Sequence, residues 1–528
     1  MKKKIAHRLL ISIIGICVIT TSQAIDLMEV FHQAVISDPT FQAARSQWLS
    51  DKENLDISRS ALMPTLDFEG TYTPSYTINN VLNRKQLRYE NRTSTAETTI
   101  TEPVFDYAAW AAVKSANASV KAATATFSAA AQNLIIRVAI AYFNVLQASD
   151  DLKFTELEKK AIGSQLEQTQ ERYKVGLIAI TDVYETKAKY ESILAQEIAA
   201  KNTLANNIEE LREITGHAYA SVTGIKNNLP LITPAPKNID AWAATAIRQN
   251  YGLLAARYTT LASKQKIRQA AAARYPTLEL DGGYDYSYQT NASNIGHNEL
   301  KVTSGTATVD FPVFQGGLVS ANTHQAIYNY QVASANQELE YRSVIAGSRQ
   351  SYLGVLAGIS QILANKQSII SQESALKATE AGYIVGTRTI VDVLNAQSDL
   401  YSAQKDYTKA EYEYLLDTLT LKEEAGTLSA NDLAQINSWL SKPVSLAVYE
   451  KVTKNSSFAP EHTIQYHETV PKSSSEVDLK EVSEAKETKK IKTTKKSTEK
   501  RANTAYTVSK NIPQLPAPTL PNPFHKRN

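Results

Sequence analysis

Residues 381–393 read AGYIVGTRTIVDV, and residues 173–183 read YKVGLIAITDV. In each stretch a Val-Gly pair precedes an aspartate that lies six residues after the glycine, Gly176 in the first stretch and Gly386 in the second. The two glycines are 210 residues apart. Glycine commonly follows the end of a helix because it adopts positive φ at little cost. The pattern therefore indicates that the same turn occurs twice in one chain.

Further motifs recur at nearly the same separation on both sides of these turns. The matched motifs are Pro64-Thr65-Leu66 with Pro276-Thr277-Leu278 (212 residues apart), Pro103-Val104-Phe105 with Pro312-Val313-Phe314 (209) and Gly216 with Gly426 (210). Matches that keep their order and their separation over such a distance indicate two copies of one structural unit. We assign the copies to residues 25–236 and 237–444.

Each copy is predicted to contain a long helical hairpin. Proline is absent from residues 104–229 and 313–442, which favours helix in both stretches. As a single helix, residues 107–174 would measure on the order of 100 Å. Residues spaced four and three apart predict a packed seam along this helix. They are Leu134, Val138, Ala141 and Val145.

The turns of the two hairpins are predicted at the two Val-Gly pairs. We expect each returning helix to begin at the aspartate after the turn, Asp182 or Asp392. Gly216 and Gly426 are expected to end the returning helices.

Shorter amphipathic helices are predicted outside the hairpins, at about residues 26–60 and 238–274. Asp38-Pro39 and Asn250-Tyr251 indicate comparable breaks within them. These helices are expected to form a belt around the hairpins, with a packing role.

Alternation with a period of two predicts two strands in each copy. Residues 278–288 place Leu and Tyr on one face and acidic or Ser side chains on the other, and residues 68–76 repeat this alternation. The companion strands are predicted at about 92–104 and 300–313, across polar loops. Four strands per chain cannot close a membrane barrel, which needs about eight. Several chains must therefore share one barrel.

Both ends of the chain differ from the two copies. Residues 1–24 combine Lys2, Lys3, Lys4 and Arg8 with a twelve-residue apolar run, which predicts a cleaved secretory signal. The single cysteine, Cys17, lies inside it. After it, no stretch of about 18 apolar residues predicts a spanning helix. Residues 445–528 are rich in Ser, Thr, Lys and Glu and predict a flexible tail.

Composition excludes several classes of function. The net charge is only +3, so it does not indicate a nucleic-acid partner. The eight histidines are scattered, without the paired spacing of a metal site, and there is no glycine-rich loop to hold phosphate. The sequence therefore predicts neither an enzyme nor a cofactor.

Taken together, the signal, the duplicated strand pair and the hairpin turns at 173–183 and 381–393 resemble the TolC family of outer-membrane ducts. The likeness covers about residues 25–443, and Asn522-Pro523-Phe524 is similar to the family's C-terminus. The resemblance implies an α+β membrane protein that forms a homotrimer. Twelve strands would make one outer-membrane β-barrel, and long helices would continue it as a periplasmic α-helical barrel.

The resemblance also implies a function and partners. The chain would be a passive exit duct in the outer membrane of a Gram-negative cell, extending into the periplasm. Its partners would be outer-membrane lipid, a periplasmic adaptor protein and an inner-membrane pump or ABC exporter, in drug efflux, type I protein secretion or both. The alternative is a periplasmic coiled-coil scaffold or adaptor without a pore. A self-sufficient porin is a weaker rival, because a porin chain carries many more strands.

A gate at the periplasmic tip is implied by the same resemblance. Asp392 would be brought together in three copies at the narrowest point, where the carboxylates repel anions. The family carries a second acid three residues later, and Asn395 stands there in this chain. The loss predicts weaker block by multivalent cations. Bonds that close the gate are expected at Thr181, Asp182, Tyr383 and Arg388, with Glu171 where the family usually has Gln.

Two simpler interpretations of the gate residues stay open. An aspartate in the first turn of a helix is stabilised by the helix dipole, by about 0.3–1 kcal/mol, whatever its function. This explanation is as good as a gating role for Asp182 and weaker for Asp392. Arg388 could simply be an exposed arginine near a turn.

Adaptor docking is implied at the two turns, where family members meet the tips of adaptor hairpins. The expected residues are Val175, Gly176, Leu177, Val385, Gly386 and Thr387. Glycine lets another backbone approach closely. It also serves a turn that needs positive φ, and both roles can hold together.

Overall fold

The computed structural model describes residues 24–79, 87–226, 229–291 and 296–446. The predicted signal peptide, apart from Ala24, and the predicted tail, apart from Ser445 and Leu446, lie outside the described residues. The centres of the two predicted strand loops also lie outside them.

The described chain runs twice through the same series of elements. The first series is α1 (Leu27–Ser37), α2 (Pro39–Ser60), β1 (Thr65–Asn79), β2 (Leu87–Phe105), α3 (Tyr107–Lys174), α4 (Ile180–Thr215) and β3 (Ser221–Ile225). The second is α5 (Ile239–Gln249), α6 (Tyr251–Ala272), β4 (Thr277–Asn291), β5 (Gly296–Asp310), α7 (Leu318–Ile384), α8 (Ile390–Glu424), α9 (Ala430–Asn437) and β6 (Leu440–Ser445). The short helices break where the sequence predicted, at Asp38-Pro39 and at Asn250.

Two helices dominate the molecule. α3 has 68 residues and α7 has 67, so each is about 100 Å long. The bounds of α3 are those predicted, and its predicted seam is buried. By length and composition, α3 could also cross a membrane, which the sequence analysis had not expected. However, 61% of its apolar window is buried within the chain, because this part of α3 supplies the core against its neighbours.

The returning helices begin two residues earlier than predicted. α4 starts at Ile180 and α8 at Ile390, so Asp182 and Asp392 are the third residues of their helices. At α8 the reason is a capping box. Thr389 Oγ1 accepts a hydrogen bond from the Asp392 backbone N–H (3.2 Å), and Asp392 Oδ2 accepts one from the Thr389 backbone N–H (2.9 Å).

The four long strands form one antiparallel sheet in the order β1-β2-β4-β5. β2 pairs with β4, with Thr101 opposite Asp281, so the strands of the two copies continue each other across the middle of the sheet. β1 and β5 lie at its two edges. β5 ends at Asp310, earlier than the predicted end at Val313, and the following segment leads into α7 at Gly317.

A second, small sheet was missed by the sequence analysis. β3 and β6 pair antiparallel, inside stretches predicted to be helical because they lack proline. A lack of proline permits helix but does not require it. The Tyr142 hydroxyl of α3 holds this sheet in place: it donates to the Thr223 carbonyl (2.7 Å) and accepts from the Thr223 N–H (2.9 Å). Tyr142 is fully buried in the main core.

Candidate functional site

The two hairpin turns form the tip of the helical region. Gly176 and Gly386 have φ of +74° and +79°, a conformation that side chains with a Cβ rarely adopt. A Cβ added at either glycine would meet no atom within 4 Å, so packing within the chain does not require glycine there. The backbone conformation of each turn is therefore what selects glycine.

The residues beside these glycines expose apolar surface. Val175, Leu177 and Val385 have exposed fractions of 69%, 70% and 72%. Thr387 is also exposed, and its backbone N–H donates to the Gly382 carbonyl at 2.9 Å. The structure thus brings all the predicted docking residues to the ends of the hairpins. Their contact with an adaptor stays a prediction.

Asp392 has a structural role within the chain. Hydrogen bonds from the backbone and side chain of Thr389, and to a smaller extent the charge of Arg388, lower the pKa of its carboxyl. Asp392 is therefore held ionised at the start of α8. This capping role and a role in the bore are compatible, because the carboxylate remains partly exposed.

The residues predicted to close the gate do not all meet within one chain. Within the described residues, the Arg388 side chain forms no ion pair, and Asp182 accepts only a long bond from the Thr181 hydroxyl (3.4 Å). Glu171 pairs with Lys174 at 2.7 Å, an exposed contact on the same helix. A bond between Arg388 and Asp182 would therefore have to form between chains or after a movement.

Tyr383 makes a contact between the hairpins that the sequence did not predict. The Arg172 guanidinium lies 5.3 Å from the centre of its ring, within the range of a cation–π interaction. The Tyr383 hydroxyl is buried and has no hydrogen-bond partner among the described residues. Tyr383 thus connects α7 to α3 through its ring.

A small apolar cluster behind the tip was also missed. Ile390, Val393 and Leu394 of α8 are buried against Ile162 of α3 and Ile193 of α4. Positions 390, 393 and 394 have the i, i+3, i+4 spacing of a buried helix face, so this signal was present in the sequence. We call these five residues the tip cluster. It packs the two hairpins of one chain against each other.

Buried polar contacts continue this attachment along the hairpins. Ser398 of α8 donates to Glu158 of α3 at 2.5 Å, and both Lys159 and Lys201 donate to Glu197 of α4. Hydrogen bonds from these two lysines lower the pKa of Glu197, which is 4% exposed. A buried carboxylate of this kind is stable because its charge is paired.

The described ranges contain no group of three or more His, Cys, Asp or Glu side chains that could hold a metal ion. The tip offers instead exposed apolar turns, an ionised carboxylate at the start of α8 and an unpaired arginine.

Comparison with known proteins identifies the family. The model of the family described as outer membrane efflux protein matches residues 30–217 and 242–427, one match in each copy. The chain belongs to the outer membrane efflux protein family. As a family member it is an exit duct of the Gram-negative outer membrane that extends into the periplasm, which sets aside the alternative of a scaffold or adaptor without a pore.

Individual relatives agree with this assignment. The chain is 38% identical over 440 residues to the outer membrane protein TolC of Escherichia coli, covering 80% of this chain and 87% of that protein. It is 28% identical over 442 residues to the proteases secretion protein PrtF of Dickeya chrysanthemi, covering 80% and 93%. The Campylobacter jejuni CmeC outer membrane channel shares the fold of this family member, with a TM-score of 0.66 at 15% identity over 78% of this chain and 89% of that one.

Proposed function

We propose that three copies of this chain enclose one continuous duct, with a twelve-stranded barrel in the outer membrane and an α-helical barrel in the periplasm. The four-stranded sheet supports this, because its edge strands β1 and β5 leave a row of backbone groups unpaired within the chain. In lipid such groups must be satisfied, and closing the sheet into a barrel satisfies them. Pairing β5 of one copy with β1 of the next would do so.

The two copies within the chain also support closure by neighbouring chains. Ala118 and Ala122 of α3 are buried, with exposed fractions of 4% and 9%. The residues 210 positions later on α7, Tyr328 and Val332, are exposed by 64% and 60%. α3 is covered by helices of the second copy, whereas α7 lacks this cover within the chain. The next protomer would supply it and bury these apolar side chains.

At the tip, we assign gating to Asp392, Asn395, Arg388, Tyr383, Asp182, Thr181 and Glu171. The unpaired Arg388 side chain of one protomer would meet Asp182 of its neighbour, since the guanidinium fork suits a carboxylate. Three Asp392 carboxylates would surround the axis. The exposed apolar turns would receive a periplasmic adaptor that links the duct to an inner-membrane pump or ABC exporter.

This duct would serve both efflux and type I secretion, and it would catalyse no reaction. The relatives include a protein named for protease secretion and an outer membrane channel of known structure. A passive bore selects by size and charge, so one duct can serve several translocases.

A cysteine cross-link tests the ring. Thr99 of β2 lies opposite Gly283 of β4 within the chain. Shifting these positions by the repeat separations of 209 and 212 residues places Thr308 of β5 opposite Thr71 of β1 in the next protomer. The only native cysteine, Cys17, lies in the predicted signal. In outer-membrane fractions, oxidation of Thr71→Cys/Thr308→Cys is expected to give covalent dimers and trimers.

The matched control moves one cysteine along β5. Thr71→Cys/Val302→Cys keeps the same face but separates the sulfurs by about 20 Å, at 3.4 Å per residue. This pair is expected to stay unlinked. Absence of intermolecular disulfides in the first pair, or equal linking in both, would contradict the proposed ring.

A further inference from the structure

We infer that Asp399 forms a second acidic ring inside the duct and helps to set its preference for cations over anions. The inference rests on the proposed function, which places three Asp392 carboxylates on the bore. Asp399 is a specificity-determining residue in this sense, deeper in the tunnel than the tip.

The helix geometry places Asp399 on the same face as Asp392. Asp392, Asn395 and Asp399 occupy positions i, i+3 and i+7 of α8, which lie one above another on an α-helix. Seven residues correspond to a rise of about 10 Å. A side chain at 399 therefore follows Asp392 along the bore, two turns farther from the tip.

Burial around α8 agrees with this orientation. Val393, Leu394 and Ala403 are buried on the side that packs within the chain, and Ser398 points to Glu158 of α3. Asn395 and Asp399 are exposed. The face that carries Asp399 is thus the open face of α8.

The charge of Asp399 is not neutralised by a partner. Within the described part of the chain it forms neither an ion pair nor a hydrogen bond, whereas nearby carboxylates do. Glu158 accepts from Ser398, and Glu197 accepts from two lysines. An uncompensated carboxylate contributes its full charge to the field of the bore.

The acid at this position is not a property of the repeated scaffold. The residue 210 positions earlier, on α4, is Lys189, which carries the opposite charge. The position of Asn395 corresponds to Glu185 by the same separation. α8 therefore lacks an acid where α4 has one and gains an acid where α4 has a base. The result is a pair of carboxylates on α8 spaced by two turns.

The spacing allows both rings to act on the same ion. The Debye length is about 8 Å at physiological ionic strength, similar to the rise between the two positions. A permeating cation between the rings would interact with both sets of three carboxylates. Asp399 thus restores part of the field that Asn395 removes, in a different place along the bore.

The test is the reversal potential of the purified full-length trimer in planar bilayers under a KCl gradient. Asp399→Asn is expected to lower the potassium-to-chloride permeability ratio about threefold, the loss of about one kT from the potential of the bore. Asp399→Glu, which keeps the charge, is expected to retain the wild-type ratio. Glu191→Gln removes an exposed acid at a similar height on α4 and is the matched control, expected to change nothing.

Asp392→Asn separates failure of this inference from failure of the proposed function. If Asp392→Asn lowers the ratio and Asp399→Asn leaves it unchanged, Asp399 does not face the permeating ions and the inference is overturned. If neither variant changes the ratio, the placement of this α8 face on the bore is wrong. Equal effects of Asp399→Asn and Glu191→Gln would also overturn the inference, because they would indicate a general effect of surface charge.

Discussion

Trimming one methylene from the tip cluster is expected to favour the open duct. Ile390 is 1% exposed and lies with Ile162 and Ile193 between the two hairpins of one chain. Replacing a buried Ile by Val costs about 0.5–1.5 kcal/mol. Outward movement of α7 and α8 from α3 and α4 would expose the tip cluster, so the open state would not share this loss.

The whole loss would then appear in the gating equilibrium. A change of about 0.5–1.5 kcal/mol corresponds to a shift of about 2- to 12-fold in the ratio of open to closed channels. Ile390→Val is therefore expected to raise the open probability of the purified trimer in planar bilayers by this factor. Single-channel recording at fixed voltage measures it directly.

Ile362→Val is the matched control for this measurement. Ile362 lies in the second hairpin, is 3% exposed and belongs to the main core rather than to the tip cluster. The same methylene is lost there, so thermal stability is expected to fall similarly while open probability stays at the wild-type value. An unchanged open probability for Ile390→Val would refute the role of the tip cluster in holding the duct closed, as would an equal rise in both variants.

Three further predictions concern the gate, the turns and the core. Arg388→Ser combined with Asp182→Ala is expected to raise single-channel conductance and drug leakage in cells, because it removes the proposed bond between protomers; unchanged conductance would remove this assignment. Gly386→Val is expected to strain the turn by about 1–2 kcal/mol and to reduce co-purification of the pump complex, and intact assembly would argue against adaptor contact at that turn. Burial raises the pKa of Glu411 above its ordinary value of 4.5, so the folded protein binds this proton more tightly than the unfolded chain does and loses stability as pH rises above 4.5. Glu411→Gln is therefore expected to raise the Tm near neutral pH and to lose this advantage in acid below 4.5, whereas a gain that persists there would contradict the titration of Glu411.

The parts of the fold that the sequence predicted are those with strong local signals. The start of α3 is fixed by Asp106, whose carboxylate accepts from the Ala109 N–H at 3.0 Å, and its end by the turn at Gly176. The short strands β3 and β6 escaped because five or six residues give little periodicity. Their pairing also joins positions more than 200 residues apart, which local patterns do not encode.

The candidate site was predictable in position but not in partnership. Val-Gly motifs identify the turns because only a few residues tolerate their backbone. The Arg172–Tyr383 contact and the tip cluster depend on how the hairpins pack, so residue spacing alone could not reveal them. The first residue of α8 was misplaced because the aspartate of a capping box lies inside the helix, three residues after the threonine that caps it.

The small β3–β6 sheet has a consequence for how the polypeptide could be divided. It joins the residues after α4 to the last described residues, and Ile25 donates its N–H to the Ser221 carbonyl at 3.1 Å. Three distant points of the polypeptide therefore meet at one place, and severing the gene between the duplicated halves would leave strand edges open in both products. Although the halves arose as copies, neither is self-sufficient, and the final structure has to wait until almost the whole ordered chain has been delivered.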